Sequence, residues 1–127
     1  MIYIYLFLAG GLGVLARFIS VKTITNIFGS SFPYGTLTVN IVGSLFFGFL
    51  SWYIVQRLPV SMSTETIKTV VLTGLLGGFT TFSAFSMEML QMLQSGQLVK
   101  SLIYMMLSVC VCVFACFIGL LMAKQLV

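Results

Sequence analysis

Apolar residues run along this chain almost without interruption, and the polar breaks between them are short. Stretches 2–21, 35–56, 69–92 and 101–123 each reach the roughly 20 helical residues that a hydrocarbon core requires. Between them the chain turns polar. Asn26, Gly29, Ser30, Ser31 and Pro33 mark the connection from Lys22 to Tyr34, Pro59 and a Ser/Thr cluster that from Arg57 to Lys68, and Ser95 with Gly96 that from Gln94 to Lys100. The pattern predicts an all-α membrane protein: four transmembrane helices joined by turns, forming a single domain over residues 1–127 with no linker.

Composition agrees. Hydrophobic residues make up 60% of the chain and charged residues 6%, with a mean hydropathy of +1.17, far from the range of a soluble domain. MIYIYLFLAG lacks the basic start and cleavage site of a secretory signal, so it reads as a retained helix. The six Lys and Arg against two acidic residues are scattered singly, which gives no patch for a nucleic acid. Arg57, Lys68 and Lys124 fall on one side of the predicted membrane, and Arg17, Lys22 and Lys100 on the other. Orientation normally follows the Lys/Arg bias of short loops, and here there is none. Insertion in both senses, and from it an antiparallel homodimer with its two-fold axis in the membrane plane, is the expectation. Ala9, Gly13, Gly43, Ser44, Gly74 and Gly78 are small residues that permit close helix approach.

The third span holds the densest chemistry, GGFTTFSAFSMEML from Gly77 to Leu90. Paired glycines followed by Thr80 and Thr81 are poor helix formers whose hydroxyls compete for backbone groups, so the third helix should break near its middle. In lipid a broken helix needs protein, water or an ion at its freed carbonyls, which makes those near Gly77 and Thr80 candidates for a small cation such as Na+. Phe79, Phe82 and Phe85 recur every three residues, either as packing or with their positive ring edges turned to an anion. Asn40 lies inside the second span, where its amide must find an anion, a carbonyl of the broken helix or another side chain. Tyr104 is a similar candidate or an interfacial anchor. Arg17 snorkels to the interface or draws anions into a vestibule. Glu88, toward the third connection, pairs with a cation or a backbone donor, whereas Glu65 is a solvated loop residue. Cys110, Cys112 and Cys116 have no histidine or carboxylate nearby and read as small apolar side chains rather than as zinc ligands or a disulfide framework.

GGLGVLARF around Arg17, YGTLTVNIVGSLFFG around Asn40 and GLLGGFTTFSAFSME from Gly74 to Glu88 together resemble the small fluoride channels called Fluc or CrcB, over nearly the whole chain. The resemblance implies a dual-topology antiparallel homodimer in a prokaryotic plasma membrane, two fluoride pathways along the interface and a structural Na+ at the centre. It implies that Asn40, Phe82 and Phe85 contact fluoride, that Ser83 and Ser86 continue a polar track with Tyr104 beside it, and that the carbonyls of Gly77 and Thr80 hold the Na+. Arg17 and Glu88 would lie toward the pathway ends, and Phe79 would be packing. Ala84 departs from the family, whose members often carry Thr there, so the track has one hydroxyl fewer. The implied function is passive fluoride export that lowers the cytoplasmic concentration. A small dual-topology proton-coupled multidrug or cation exporter is the rival, and it requires an interior carboxylate, which the first span lacks and which Glu88, near a span end, does not supply. An enzyme is disfavoured, because no His is present and no Ser or Cys has an identifiable base.

Overall fold

A computed structural model describes residues 1–126, and among them it contains helices and no strand. The order is α1 (Ile2–Phe28), α2 (Tyr34–Arg57), α3 (62–79), α4 (Phe82–Gln94) and α5 (Leu98–Leu126). Four helical stretches are long and apolar enough to span a bilayer, α3 and α4 being the two halves of the third.

The helices outrun the apolar stretches that predicted them. Hydropathy marks the segment lipid can cover, whereas backbone hydrogen bonding continues into polar sequence until something stops it. In α1 that stop is Gly29, at φ +82°, whose N–H returns to the Thr25 carbonyl at 2.8 Å. At the end of α4, Gly96 takes φ +75°, and the N–H groups of Gly96 and Gln97 close on the carbonyls of Leu93 and Met92. That pairing is a Schellman motif, and its left-handed residue suits glycine. Ser61 opens α3 by accepting the Thr64 N–H at 3.2 Å. Both later spans also contain wider π-helical turns, over Thr69–Leu76 and Leu107–Val111.

The third helix breaks at Thr80 and Thr81, whose backbones are extended (φ/ψ −87°/159° and −152°/119°). Thr81 caps α4, its hydroxyl accepting the Ala84 N–H at 3.2 Å.

Two glycine-lined crossings set the helix spacing. A Cβ on Gly13 would collide with the Leu75 carbonyl and one on Gly78 with the Gly10 carbonyl, so α1 and α3 touch backbone to backbone. Gly48 and Gly119 do the same for α2 and α5, facing the carbonyls of Cys116 and Leu45. Gly13, Gly74 and Gly78, expected to allow close approach, therefore serve a crossing inside one chain. Gly119 carries nearly as tight a contact as Gly48, yet it lies in a run with no second glycine to flag it.

Candidate functional site

The break brings together residues 41 positions apart. Asn40 bridges it: Nδ2 donates to the Thr81 carbonyl at 2.9 Å, and Oδ1 accepts the Thr81 N–H at 2.7 Å. Of the alternatives open to this amide, a carbonyl of the broken helix is the one it takes. The second N–H of its NH₂ group is not used in these two bonds. In a continuous helix the Thr81 N–H would reach the Gly77 carbonyl, and that carbonyl loses its helical donor when Asn40 takes the proton.

The Thr80 carbonyl accepts from Arg17 Nη1 at 3.1 Å. Arg17 thus reaches sideways across the chain to the C-terminal end of α3, where a cation opposes the negative end of the helix dipole. The Thr80 hydroxyl returns to the Leu76 carbonyl at 3.0 Å. Just beyond, the N-terminus of α4 presents its positive dipole end inside the span, with its Ala84 N–H capped by Thr81.

A cavity of about 380 Å³ opens beside this junction. Asn40, Ser44, Phe82, Phe85 and Ser108 contribute to its wall, and no charged side chain does. Phe82 is 75% exposed and Phe85 only 8%, their ring centroids 5.3 Å apart and their planes tilted by 48°. Ser108 is 8% exposed, and its Oγ is a buried side-chain polar atom with no hydrogen-bond partner among the described residues. A buried hydroxyl left without a partner is costly. Sequence reasoning missed Ser108, since a serine within an apolar run is ordinary in a membrane helix. The one local signal is structural, because it sits in the π-helical turn of α5, an irregularity often found at functional sites.

Glu88 stands apart from that cavity. Its Oε1 accepts from the Thr36 hydroxyl at 2.7 Å and its Oε2 from the Tyr104 hydroxyl at 2.6 Å. Tyr104 is fully buried, its ring against Phe85 (centroids 5.2 Å apart) and edge-on to Phe32 (5.4 Å). The structure therefore uses Tyr104 inside the bundle, linking Phe85 to Glu88. Two further cavities meet at Glu88, one of about 350 Å³ near Ser30, Gln91 and Lys100 and one of about 550 Å³ near Arg17, Thr36 and Ser83. Ser83 lines the latter, its hydroxyl 3.3 Å from that of Thr81. Ser86 is exposed and donates to the Phe82 carbonyl of its own helix at 2.9 Å.

The Glu88 cluster yields a stability prediction. Glu88→Ala leaves the buried hydroxyls of Thr36 and Tyr104 without their acceptor, at about 1–3 kcal/mol for each orphaned group. The melting temperature in detergent should fall clearly. Glu88→Gln, which offers one carbonyl and an NH₂ group that a rotated hydroxyl can accept, should fall less.

Residues 4–120 match the family model described as CrcB-like protein, Camphor Resistance (CrcB). The fluoride-specific ion channel FluC of Magnetococcus marinus is 41% identical over 117 residues, covering 92% of this chain and 93% of that protein. FluC of Aquifex aeolicus is 39% identical over 119 residues, 94% of each. FluC of Hahella chejuensis is 36% identical over 121 residues, 95% of this chain and 93% of its own length.

Proposed function

The chain belongs to the CrcB family, and on that premise we propose that it is a fluoride-selective channel, not an enzyme, that lowers cytoplasmic fluoride by passive export. The observation that carries the reading is the uncharged cavity at the helix break, where Asn40 and the Phe82 and Phe85 rings meet, with Ser44 and Ser108 on the same wall.

Fluoride is small and strongly hydrated, so a pathway must replace its water with donors. Amide N–H, hydroxyl O–H and ring edges supply weak positive charge along this wall, assisted by the N-terminal dipole of α4. A fixed ammonium there would hold the ion too long for rapid exit. An inside-negative potential drives the anion outward by about 2.3 kcal/mol per charge per 100 mV. Ser83, Arg17 and Glu88 line the neighbouring cavity, Arg17 there reaching the Thr80 carbonyl at the break. Ala84 lies on the same wall and contributes no hydroxyl.

The functional unit in this reading is an antiparallel homodimer in a prokaryotic plasma membrane. Two features support it: the balance of three basic residues against three on the two sides, and a largely exposed Phe82 at the mouth of a cavity one chain leaves open. A structural Na+ fits the residues present. The Gly77 carbonyl lacks a helical donor, and the Thr80 carbonyl keeps one lone pair beyond its bond to Arg17. Two copies of this pair around a two-fold axis would supply four oxygens. If bound, the ion would supply positive charge to carbonyl lone pairs that the break leaves without a donor.

The proton-coupled exporter has no observation in its favour, since both oxygens of the only intramembrane carboxylate are engaged by hydroxyls. Fluoride efflux from liposomes containing only this protein, with chloride as the control, tests the proposal. Phe82→Ile and Phe85→Ile should each slow flux by about tenfold or more if each ring edge lowers the barrier by about 1.4 kcal/mol. Absence of selective flux from correctly folded protein would overturn it.

A further inference from the structure

Ser108, Cys112 and Cys116 follow one another at intervals of four along α5, and all three line the cavity beside the helix break. That spacing puts them on one face of the helix. Cys112 and Cys116 lie in a regular helical stretch and are partly buried, so their Cβ atoms stand about 5–6 Å apart. Cys110 points elsewhere: it is exposed and lines a separate apolar depression with Phe114 and Phe117. The same face carries Ser108 on the cavity wall, one turn before Cys112.

We infer that Cys112 and Cys116 form a two-thiol site for a soft, two-coordinate d¹⁰ cation of the Ag(I) and Hg(II) class, and that filling it blocks the cavity. Thiolate sulfur selects soft metals, and a separation of one helical turn suits two sulfurs bridged by one linear ion. Among the described residues no group of three His, Cys, Asp or Glu side chains comes together. The site therefore cannot complete the four-ligand shell of structural zinc, and two sulfurs satisfy only an ion content with two. With mercuric chloride the step balances without redox change: two S–H bonds break and two Hg–S bonds form, while two protons and two chlorides leave. The binding stands on the cysteine geometry alone. The block rests on the reading of this cavity as the fluoride pathway, because an ion held between Cys112 and Cys116 would occupy the space facing Asn40, Ser44 and Phe47.

Two measurements on the full chain keep these parts separate. In the first, purified protein is mixed with equimolar mercuric chloride, challenged with excess glutathione and weighed by intact mass spectrometry. The wild type and Cys110→Ser should each keep one mercury with the loss of two protons, whereas Cys112→Ser and Cys116→Ser should release it to glutathione. Retention by the Cys112→Ser/Cys116→Ser double variant, or release by the wild type, overturns the site. In the second, the same reagent is added during fluoride efflux from liposomes. With each protein compared with its own flux before mercury, loss of most of the wild type's flux while the double variant keeps most of its own supports the block, and undiminished flux from mercury-loaded wild type overturns it. Wild type that conducts no fluoride before mercury is added fails the channel reading instead, and the mass measurement still decides the site.

Discussion

Asn40→Leu should remove both conduction and a measurable part of the fold's stability. The leucine matches the amide in size but returns neither of its bonds to Thr81. Thr81 is buried, 8% exposed, so its N–H and C=O would be left without partner or water. At about 1–3 kcal/mol for each orphaned group, the loss is comparable with much of the stability of a small domain. Flux would fall for a separate reason, since the cavity loses the one side-chain N–H donor on its wall. Asn40→Asp separates the two effects. Ionised, its carboxylate still accepts the Thr81 N–H and so keeps half of the bridge, but it donates nothing and sets a negative charge in the path of an anion. We expect Asn40→Leu to lower both the melting temperature and fluoride efflux. Asn40→Asp should keep one of the two bonds to Thr81, melt below the wild type because its second oxygen faces the Thr81 carbonyl, and abolish efflux. An Asn40→Asp variant conducting at the wild-type rate would show that the amide only ties the break together.

The number of helices and the place of the break were legible because both follow from local chemistry. Apolar length predicts spans, and Gly77, Gly78, Thr80 and Thr81 are poor helix formers whatever surrounds them. Helix ends were less legible, because Gly29 and Gly96 act through backbone geometry that hydropathy does not sense. Least legible were partnerships. The sequence shows that Asn40, Glu88 and Tyr104 each need a partner at membrane depth, but not which one: Thr81 for Asn40, and Thr36 with Tyr104 for Glu88. Those choices depend on how α2 and α5 lie against the third span. Ser108 stayed hidden for the same reason, since its lack of a partner exists only in three dimensions.

The spacing of α2 and α5 is fixed by Gly48 and Gly119, and there a single methyl group should have a large effect. A Cβ on Gly48 would sit 2.8 Å from the carbonyl carbon of Cys116 and closer still to its oxygen. The obstruction is backbone, so no rotamer change relieves it and the helices must move apart. Overpacking of this kind costs about 1–3 kcal/mol. Gly11 is the matched control: a Cβ there meets nothing within 4 Å, and alanine is the better helix former by up to about 1 kcal/mol in water. Gly48→Ala should therefore melt well below the wild type, and Gly11→Ala at or slightly above it. The functional consequence follows from which residues the two helices carry. Asn40 and Ser44 are on α2, and Ser108, Cys112 and Cys116 are on α5, facing each other across the same cavity. Separating the helices widens that cavity, and a narrow, donor-lined wall is what favours a small anion over a large one. Liposomes bearing Gly48→Ala should accordingly lose fluoride-over-chloride discrimination along with fluoride rate, whereas Gly11→Ala should keep both. Equal melting temperatures and equal selectivity for the two variants would mean that α2 and α5 do not cross at the distance that these glycines permit.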